Sequence, residues 1–320
     1  MKEKIVAKCN KIALIGGGNI GGALAYMMRY KNLGDVVLLD RTAETAQGKA
    51  LDINESTGIE LQSGCLFGTA EYSDIEGADL VIITAGVARK PGMSRDDLLN
   101  TNAEIIKCVA EKVRKYASDA FVIVVTNPLD AMVHVFQSYS GLHRHKVVGM
   151  AGVLDSGRFC YFLAKALNIS ARDISTITLG GHGNGMVPLP RFTSVGGIPL
   201  SQIIEMGMLS KEKLEAVIER TKNGGGEIVA LLQTCSAYYA PATSVIAMAE
   251  SYLFDQKRML SCATYLNGEY GVNNLYVGVP VIIGANGAER VVEIPLNEQE
   301  YAMFHESVAG VRALTSMLKF

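Results

Sequence analysis

The stretch Lys11 to Asp40, KIALIGGGNIGGALAYMMRYKNLGDVVLLD, constrains this chain more than any other. A short apolar run, Ile12 to Ile15, has the character of a buried strand. The glycine turn Gly16-Gly17-Gly18-Asn19-Ile20-Gly21 follows, then a helix-compatible segment from Ala23 to Tyr30. A second apolar run, Val36 to Leu39, ends on Asp40. This order makes one βαβ unit of about 30 residues with the spacing of a dinucleotide fingerprint. Gly16 permits the tight turn, Gly18 lets the backbone approach a pyrophosphate, and Gly21 lets the helix sit close to the strand. The helix start presents unpaired N–H groups and a partial positive charge, which suits phosphates without a basic side chain. Asp40, 19 residues beyond Gly21, is placed to accept ribose hydroxyls. Its charge would repel a 2′-phosphate, so the expected cofactor is NAD rather than NADP.

The pattern continues to about residue 150. Ala43 to Gly58 reads as a helix closed by glycine, and Cys65 to Thr69 as a short strand. DLVIIT (Asp79–Thr84) and AFVIVVT (Ala120–Thr126) are buried strands, with a Gly-, Pro- and Arg-rich loop at Ala85 to Arg95 and a helix at Asp96 to Tyr116 between them. Asn127-Pro128 breaks the chain, a helix runs from Leu129 to Ser140, and Lys146 to Gly149 is a sixth strand. Six strands alternating with helices make an α/β fold, a Rossmann-type doubly wound parallel sheet with right-handed crossovers. A mixed α+β catalytic domain is expected to follow, with the division at 1–148 and 149–320.

In that second part the periodicity predicts a helix from Asp155 to Leu167, a strand from Ile174 to Leu179, and hairpins up to Leu200. A helix at Lys211 to Arg220 is expected to be interrupted by Asn223-Gly-Gly-Gly. A long helical stretch from Glu227 to about Tyr252 contains Pro241. Strands near Leu260–Tyr265, Leu275–Ile283 and Val291–Ile294 precede an amphipathic helix from about Asn297 to Leu318.

At 320 residues the chain is long enough for two lobes. A net charge of −2 without long basic runs speaks against nucleic acid as a partner, so any cationic site must be local. The six cysteines show no CxxC and no metal-ligand spacing, which points to scattered core thiols in a reducing compartment and to no metal. The first strand begins too early to leave room for a signal peptide, and no apolar run approaches the roughly 18 residues of a membrane span. A cytoplasmic protein without a membrane partner is expected.

In open α/β sheets ligands bind beyond the carboxyl ends of the strands. Four stretches carry chemistry-bearing residues: TAGVARKPGMSR (Thr84–Arg95), VTNPLD (Val125–Asp130), GVLDSGRF (Gly152–Phe159) and GGHGN (Gly180–Asn184). On residue type alone each has a plain alternative. His182 is compatible with a simple loop residue, Asp155 and Arg158 with a local ion pair, Asn127 with a strand terminator, and Arg89 with a solvated loop tip.

Together with GGGNIG, these motifs in this order and spacing resemble the lactate/malate dehydrogenases, specifically the lactate dehydrogenase-like malate dehydrogenases, over essentially the whole chain. The resemblance implies that His182 is the proton donor and acceptor, a role suited to a side chain with an unperturbed pKa of ~6.5. It implies that Asp155 bonds the other ring nitrogen and that Arg158 grips the substrate's C1 carboxylate with a two-pronged contact. Arg95 would polarise the reacting carbonyl as a loop freed by Gly86 and Gly92 closes. Asn127 would orient the substrate oxygen, and its bond to Pro128 is one where cis is admissible. Arg89 stands where the lactate enzymes carry glutamine and the malate enzymes arginine, and it would pair with the second carboxylate of oxaloacetate. Besides Gly16, Gly18, Gly21 and Asp40, the cofactor contacts implied are Asn19, Ile20, Thr84, Ala85, Gly86, Asn102, Val125 and Asn127. The implied activity is reversible hydride transfer between malate C2 and NAD, as in the tricarboxylic acid cycle, by a homo-oligomer (dimer or tetramer) with helices Ala43–Thr57 and Asp155–Leu167 at its interface. Lactate or another 2-hydroxy acid is the alternative substrate, and a non-catalytic NAD-binding protein the remote one. Two departures stand out: Asn184 where an aspartate often follows the His-Gly pair, and Cys235 where glycine is common.

Overall fold

The computed structural model describes residues 9–60, 64–87 and 94–318. In the first half β1 (Lys11–Ile15), α1 (Asn19–Tyr30), β2 (Asp35–Leu39), α2 (Ala43–Glu60), β3 (Leu66–Thr69), β4 (Leu80–Ile83), α3 (Arg95–Tyr116), β5 (Phe121–Val124), α4 (Leu129–Ser140) and β6 (Val147–Gly149) alternate. The six strands run parallel in the order β3-β2-β1-β4-β5-β6. Their residues read as continuous apolar runs because both faces are covered. In β1, Ile12 and Leu14 enter one core cluster while Ala13 and Ile15 enter the other. The strand order reverses between β1 and β4, the crevice where such sheets bind ligands.

The second half holds α5 (Gly152–Leu167), β7 (Ile174–Ser175), β8 (Thr178–Leu179), β9 (Val187–Pro188), β10 (Ser194–Val195), β11 (Ile198–Pro199), α6 (Leu200–Glu205), α7 (Lys211–Leu232), α8 (Tyr239–Leu253), β12 (Arg258–Asn267), β13 (Asn273–Gly284), β14 (Gly287–Val291) and α9 (Glu298–Ser316). The antiparallel meander β12-β13-β14 joins the parallel sheet through Ala263 opposite Gly149, so one nine-stranded sheet runs through both halves.

Several expectations change in the structure. The first helix begins at Asn19, so the glycine turn itself is part of the helix start. Gly58 does not close α2, which continues to Glu60. The single strand expected at Ile174–Leu179 is two short ones: β7 pairs with β10, and β8 pairs with β9 in a separate ribbon. The Asn223-Gly-Gly-Gly interruption is absent, because α7 runs through it. A Cβ on Gly224 would lie 3.3 Å from Arg158 Cδ and 3.5 Å from Phe162, so Gly224 makes room for α5. Close packing overrides its poor helix propensity. The long helix expected to follow breaks at residues 233–238 instead, leaving Pro241 in the first turn of α8, where its missing N–H costs no hydrogen bond. The last strand is Gly287–Val291, earlier than Val291–Ile294.

One contact ties the second half's loops to the sheet. Gly180 and Gly278 exchange backbone hydrogen bonds of 2.8 and 3.2 Å, two residues before His182. A Cβ at Gly278 would stand 2.4 Å from the Gly180 carbonyl oxygen. Gly278→Val is therefore expected to destabilise the fold by about 2 kcal/mol or more in urea unfolding. A loss under about 0.5 kcal/mol would show that this approach is not constraining.

Candidate active site

The site has two parts, on either side of the switch point. The first is the turn after β1. Gly16 has φ +115°, and a Cβ there would meet Ala85 N at 2.6 Å and Thr84 Oγ1 at 2.7 Å. A Cβ on Gly21 would collide with the Gly16 carbonyl oxygen, whereas one on Gly18 would meet nothing within 4 Å. The turn is thus closed beneath and open above Gly18, the cradle a pyrophosphate needs. At the end of β2 the Asp40 carboxylate accepts the Gly17 N–H at 2.6 Å and the Thr42 N–H at 3.2 Å. It braces the turn and stays half-buried at the edge of the crevice. The residues present therefore fit a dinucleotide.

A basic side chain does reach this turn, contrary to expectation. Lys49 of α2 donates from Nζ to the carbonyls of Gly17 (2.5 Å) and Gly18 (3.0 Å). Its sequence position, nine residues past Asp40, gives no local signal of this, because only the α2–α1 packing brings it there.

The loops after β4 and β5 are clasped together. Asn102 is buried in α3; its Oδ1 accepts the Val87 N–H at 2.8 Å, and its Nδ2 donates to the carbonyls of Val87 (3.2 Å) and Asn127 (2.6 Å). What Asn102 gives the site is the position of two loops. Thr84 Oγ1 donates to the Gly16 carbonyl at 3.0 Å, and Thr126 Oγ1 to the Ala85 carbonyl at 2.7 Å. A Cβ on Gly86 would stand 2.6 Å from Thr126 Cγ2. Val125 is buried, Ala85 and Ile20 are half-buried, and Asn19 and Asn127 are exposed. The Asn127–Pro128 peptide is cis. Arg89 and Gly92, and the side chain of Arg95, lie outside the described residues; the backbone of Arg95 opens α3 behind the Ser94 capping box.

The second part brings together His182, Asp155 and Arg158. His182 Nδ1 lies 2.9 Å from Asp155 Oδ2, and Arg158 Nη1 lies 3.4 Å from Asp155 Oδ1. The i, i+3 spacing on α5 puts both α5 groups on one face. All three side chains are sheltered: Asp155 is 2% exposed, Arg158 13% and His182 16%. Since a carboxylate only accepts, the Nδ1 proton is fixed on that nitrogen and Nε2 is left for proton exchange. Burial disfavours the charged ring. The Asp155 charge and hydrogen bond, with the charge of Asp130, more than offset both that and the repulsion of Arg158, so the His182 pKa moves up. The guanidinium of Arg158 lies along Gly224 and Gly225 of α7, whose missing side chains leave it space.

Sequence reasoning gave no role to the groups that hold the loop itself. Ser307 of α9 accepts the Gly181 N–H at 2.8 Å, and Asp130 of α4 accepts the His182 N–H at 2.9 Å. A cleft of about 760 Å³ opens onto His182 between this loop, Lys222 of α7 and Met303 of α9, with Asn184 on its wall. Among the described residues no His, Cys, Asp or Glu cluster could hold a metal ion.

Residues 10–149 match the model of the lactate/malate dehydrogenase NAD binding domain, and residues 152–317 that of the lactate/malate dehydrogenase alpha/beta C-terminal domain. The chain is 58% identical over 309 residues to a malate dehydrogenase of Caulobacter vibrioides, covering 97% of each chain. It superposes on the crystal structure of Cryptosporidium parvum malate dehydrogenase with a TM-score of 0.94 and 48% identity, covering 97% of this chain and 98% of that one. A lactate dehydrogenase from Cryptosporidium parvum, complexed with lactic acid and nicotinamide adenine dinucleotide, matches with a TM-score of 0.94 and 45% identity over 97% and 98% of the two chains.

If Lys49 adds charge at the cofactor turn, Lys49→Met should weaken NADH about 3–10-fold in a fluorescence titration, on the order of 1 kcal/mol. An unchanged Kd would mean that Lys49 only caps the two carbonyls.

Proposed function

This chain belongs to the lactate/malate dehydrogenase family, and we propose that it acts as an NAD-dependent malate dehydrogenase interconverting malate and oxaloacetate. One observation carries the assignment of roles: a single buried carboxylate, Asp155, orients both His182 and Arg158. NAD, when bound, supplies the hydride acceptor. His182 Nε2 takes the hydroxyl proton as malate is oxidised and returns it to the carbonyl oxygen in the reverse direction. The imidazolium formed in oxidation is stabilised by Asp155. Arg158 binds the C1 carboxylate, its guanidinium lying along Gly224 and Gly225 of α7. Asn127 orients the reacting oxygen and Arg95 polarises it. Arg89 pairs with the second carboxylate, and against pyruvate it would be left without a partner, which disfavours the smaller acid. The glycine turn with Asn19 and Ile20, Asp40, and the Thr84–Gly86 and Val125–Asn127 loops hold the cofactor, with Asn102 keeping those loops in register.

The lobes divide near residue 148. Leu51 and Ile59 on α2, Tyr161 on α5 and Tyr239 on α8 leave large apolar side chains exposed, which supports a homo-oligomer, a dimer or tetramer, assembled through these helices. No helix among the described residues is long and apolar enough to cross a membrane. A cytoplasmic place in the tricarboxylic acid cycle fits this reading.

Steady-state kinetics with oxaloacetate and pyruvate, and with NADH and NADPH, test the assignment. Oxaloacetate with NADH should be preferred by several orders of magnitude in kcat/KM, and Arg89→Gln should move the ratio toward pyruvate by 10²-fold or more; a ratio left in place would remove Arg89 from specificity. The pH dependence is fixed in sign. Oxaloacetate reduction needs protonated His182, so its kcat/KM should fall as pH rises through a value above 6.5. Asp155→Asn should move that fall to lower pH and reduce kcat, and an unchanged profile would contradict the role given to Asp155.

A further inference from the structure

We propose that Asp130 is a positioning residue of the proton-transfer site: it anchors the backbone of His182 to the start of α4 and sets a second negative charge beside the imidazole. This rests on the reading of His182 as the proton-exchanging group.

Asp130 lies in the first turn of α4, two residues beyond the cis Asn127–Pro128 peptide. It is 4% exposed. Its Oδ2 accepts the His182 N–H at 2.9 Å, while its Oδ1 is buried without a hydrogen-bond partner among the described residues. A carboxylate at a helix N-terminus is favoured by the aligned peptide dipoles. That compensation is small beside the cost of burying a charge whose second oxygen bonds nothing. If anchoring the loop were its whole task, a neutral acceptor would serve. Ser307 already holds the preceding amide of Gly181 with a hydroxyl.

The loop is therefore pinned at two successive amides by two different helices, α9 and α4. Gly181 between them has no room to shift. A Cβ there would stand 2.6 Å from Val311 and 3.3 Å from Asp130 Oδ2. Asp130 is also the only residue through which the turn carrying Asn127 bonds to the loop carrying His182, among the hydrogen bonds of the described residues. The substrate-orienting amide and the proton-exchanging ring are thus fixed relative to each other by this carboxylate.

The charges around it set its behaviour. His182 faces it from the loop, Asp155 from α5 with Arg158 on the far side of that carboxylate, and His134 lies one turn further along α4. From α9 come the Ser307 hydroxyl and, on the wall of the same cleft, Glu300 and Glu306; Arg191 and Lys222 complete the charged groups of that wall, and Arg191 is engaged by Glu300 at 2.6 Å. Burial pushes the Asp130 carboxyl up to about 6, against the His182 N–H and charge and in the same direction as Asp155. A carboxyl whose native pKa is raised makes the native state bind more protons than the unfolded one. Stability is then lost as pH rises from the unfolded value of 3.8 through about 6. Above that range the fold carries this charge at a cost, the mark of a group kept for the site rather than for the core.

Asp130→Asn keeps an oxygen to accept the His182 N–H and removes the charge. In it the fall of kcat/KM for oxaloacetate reduction should move to lower pH by about half to one unit. Its melting temperature at pH 7.5 should equal or exceed the parent's, and its NADH Kd should be unchanged. Asp130→Ala removes acceptor and charge together; kcat should fall about tenfold or more with KM for oxaloacetate within threefold, and the asparagine variant should recover most of the loss. A pH profile of Asp130→Asn that superimposes on the parent's, or an Asp130→Ala kcat within twofold of it, would overturn the proposal. Should the alanine variant fail to fold, the asparagine profile decides alone. His182→Asn separates the two readings. Parental turnover in it would sink the role of His182 itself, whereas its loss beside an unaltered Asp130→Asn profile would remove only Asp130.

Discussion

The site depends on one carboxylate serving two donors, an imidazole and a guanidinium. Asp155 is taken almost wholly out of water, a cost of several kcal/mol for an isolated ion. It is offset by giving each oxygen its own partner, Nδ1 of His182 on one and Nη1 of Arg158 on the other. Removing either partner would strand a buried charge, so the three groups stand or fall as a unit. The arrangement also fixes chemistry, because it decides which imidazole nitrogen carries a permanent proton and which is left without one.

The sheet supplies the rigidity this requires. Were the two lobes joined only by a hinge, the distance between the β1–β4 crevice and the imidazole would vary with it. Instead β12 pairs with β6, and Gly278 of β13 bonds Gly180, so the His182 loop hangs from the same sheet that carries the β1–β4 crevice. The glycine turn after β1 and the His182 loop are positioned by one continuous hydrogen-bonded frame.

Most of this was legible along the chain wherever a local pattern suffices. The glycine turn, the apolar strands covered on both faces and Asp40 announce themselves within a few residues, whereas the i, i+3 pair on α5 reads locally as a plain ion pair and took its role from the family resemblance. What escaped was set by contacts between distant segments. Glycines 224–226 look like a breaker because helix propensity is local, yet at Gly224 a side chain would press on Arg158 and Phe162, far away in sequence. The β7–β8 split follows from each half having a different partner strand. Lys49 and Ser307 reach the site only through helix packing, and nothing in their neighbourhoods marks them; Asp130 closes the VTNPLD motif, but its bond to the His182 amide joins segments 52 residues apart.

The two carboxylates near His182 are not redundant, and their difference explains why both are tolerated. Asp155 bonds the ring and is fully compensated; Asp130 bonds the backbone and is not. With the imidazole protonated, each negative charge has a cation to face. With it neutral, Asp130 loses its nearest positive charge, and its own proton affinity rises in response. Proton uptake by the ring and ionisation of Asp130 are then coupled.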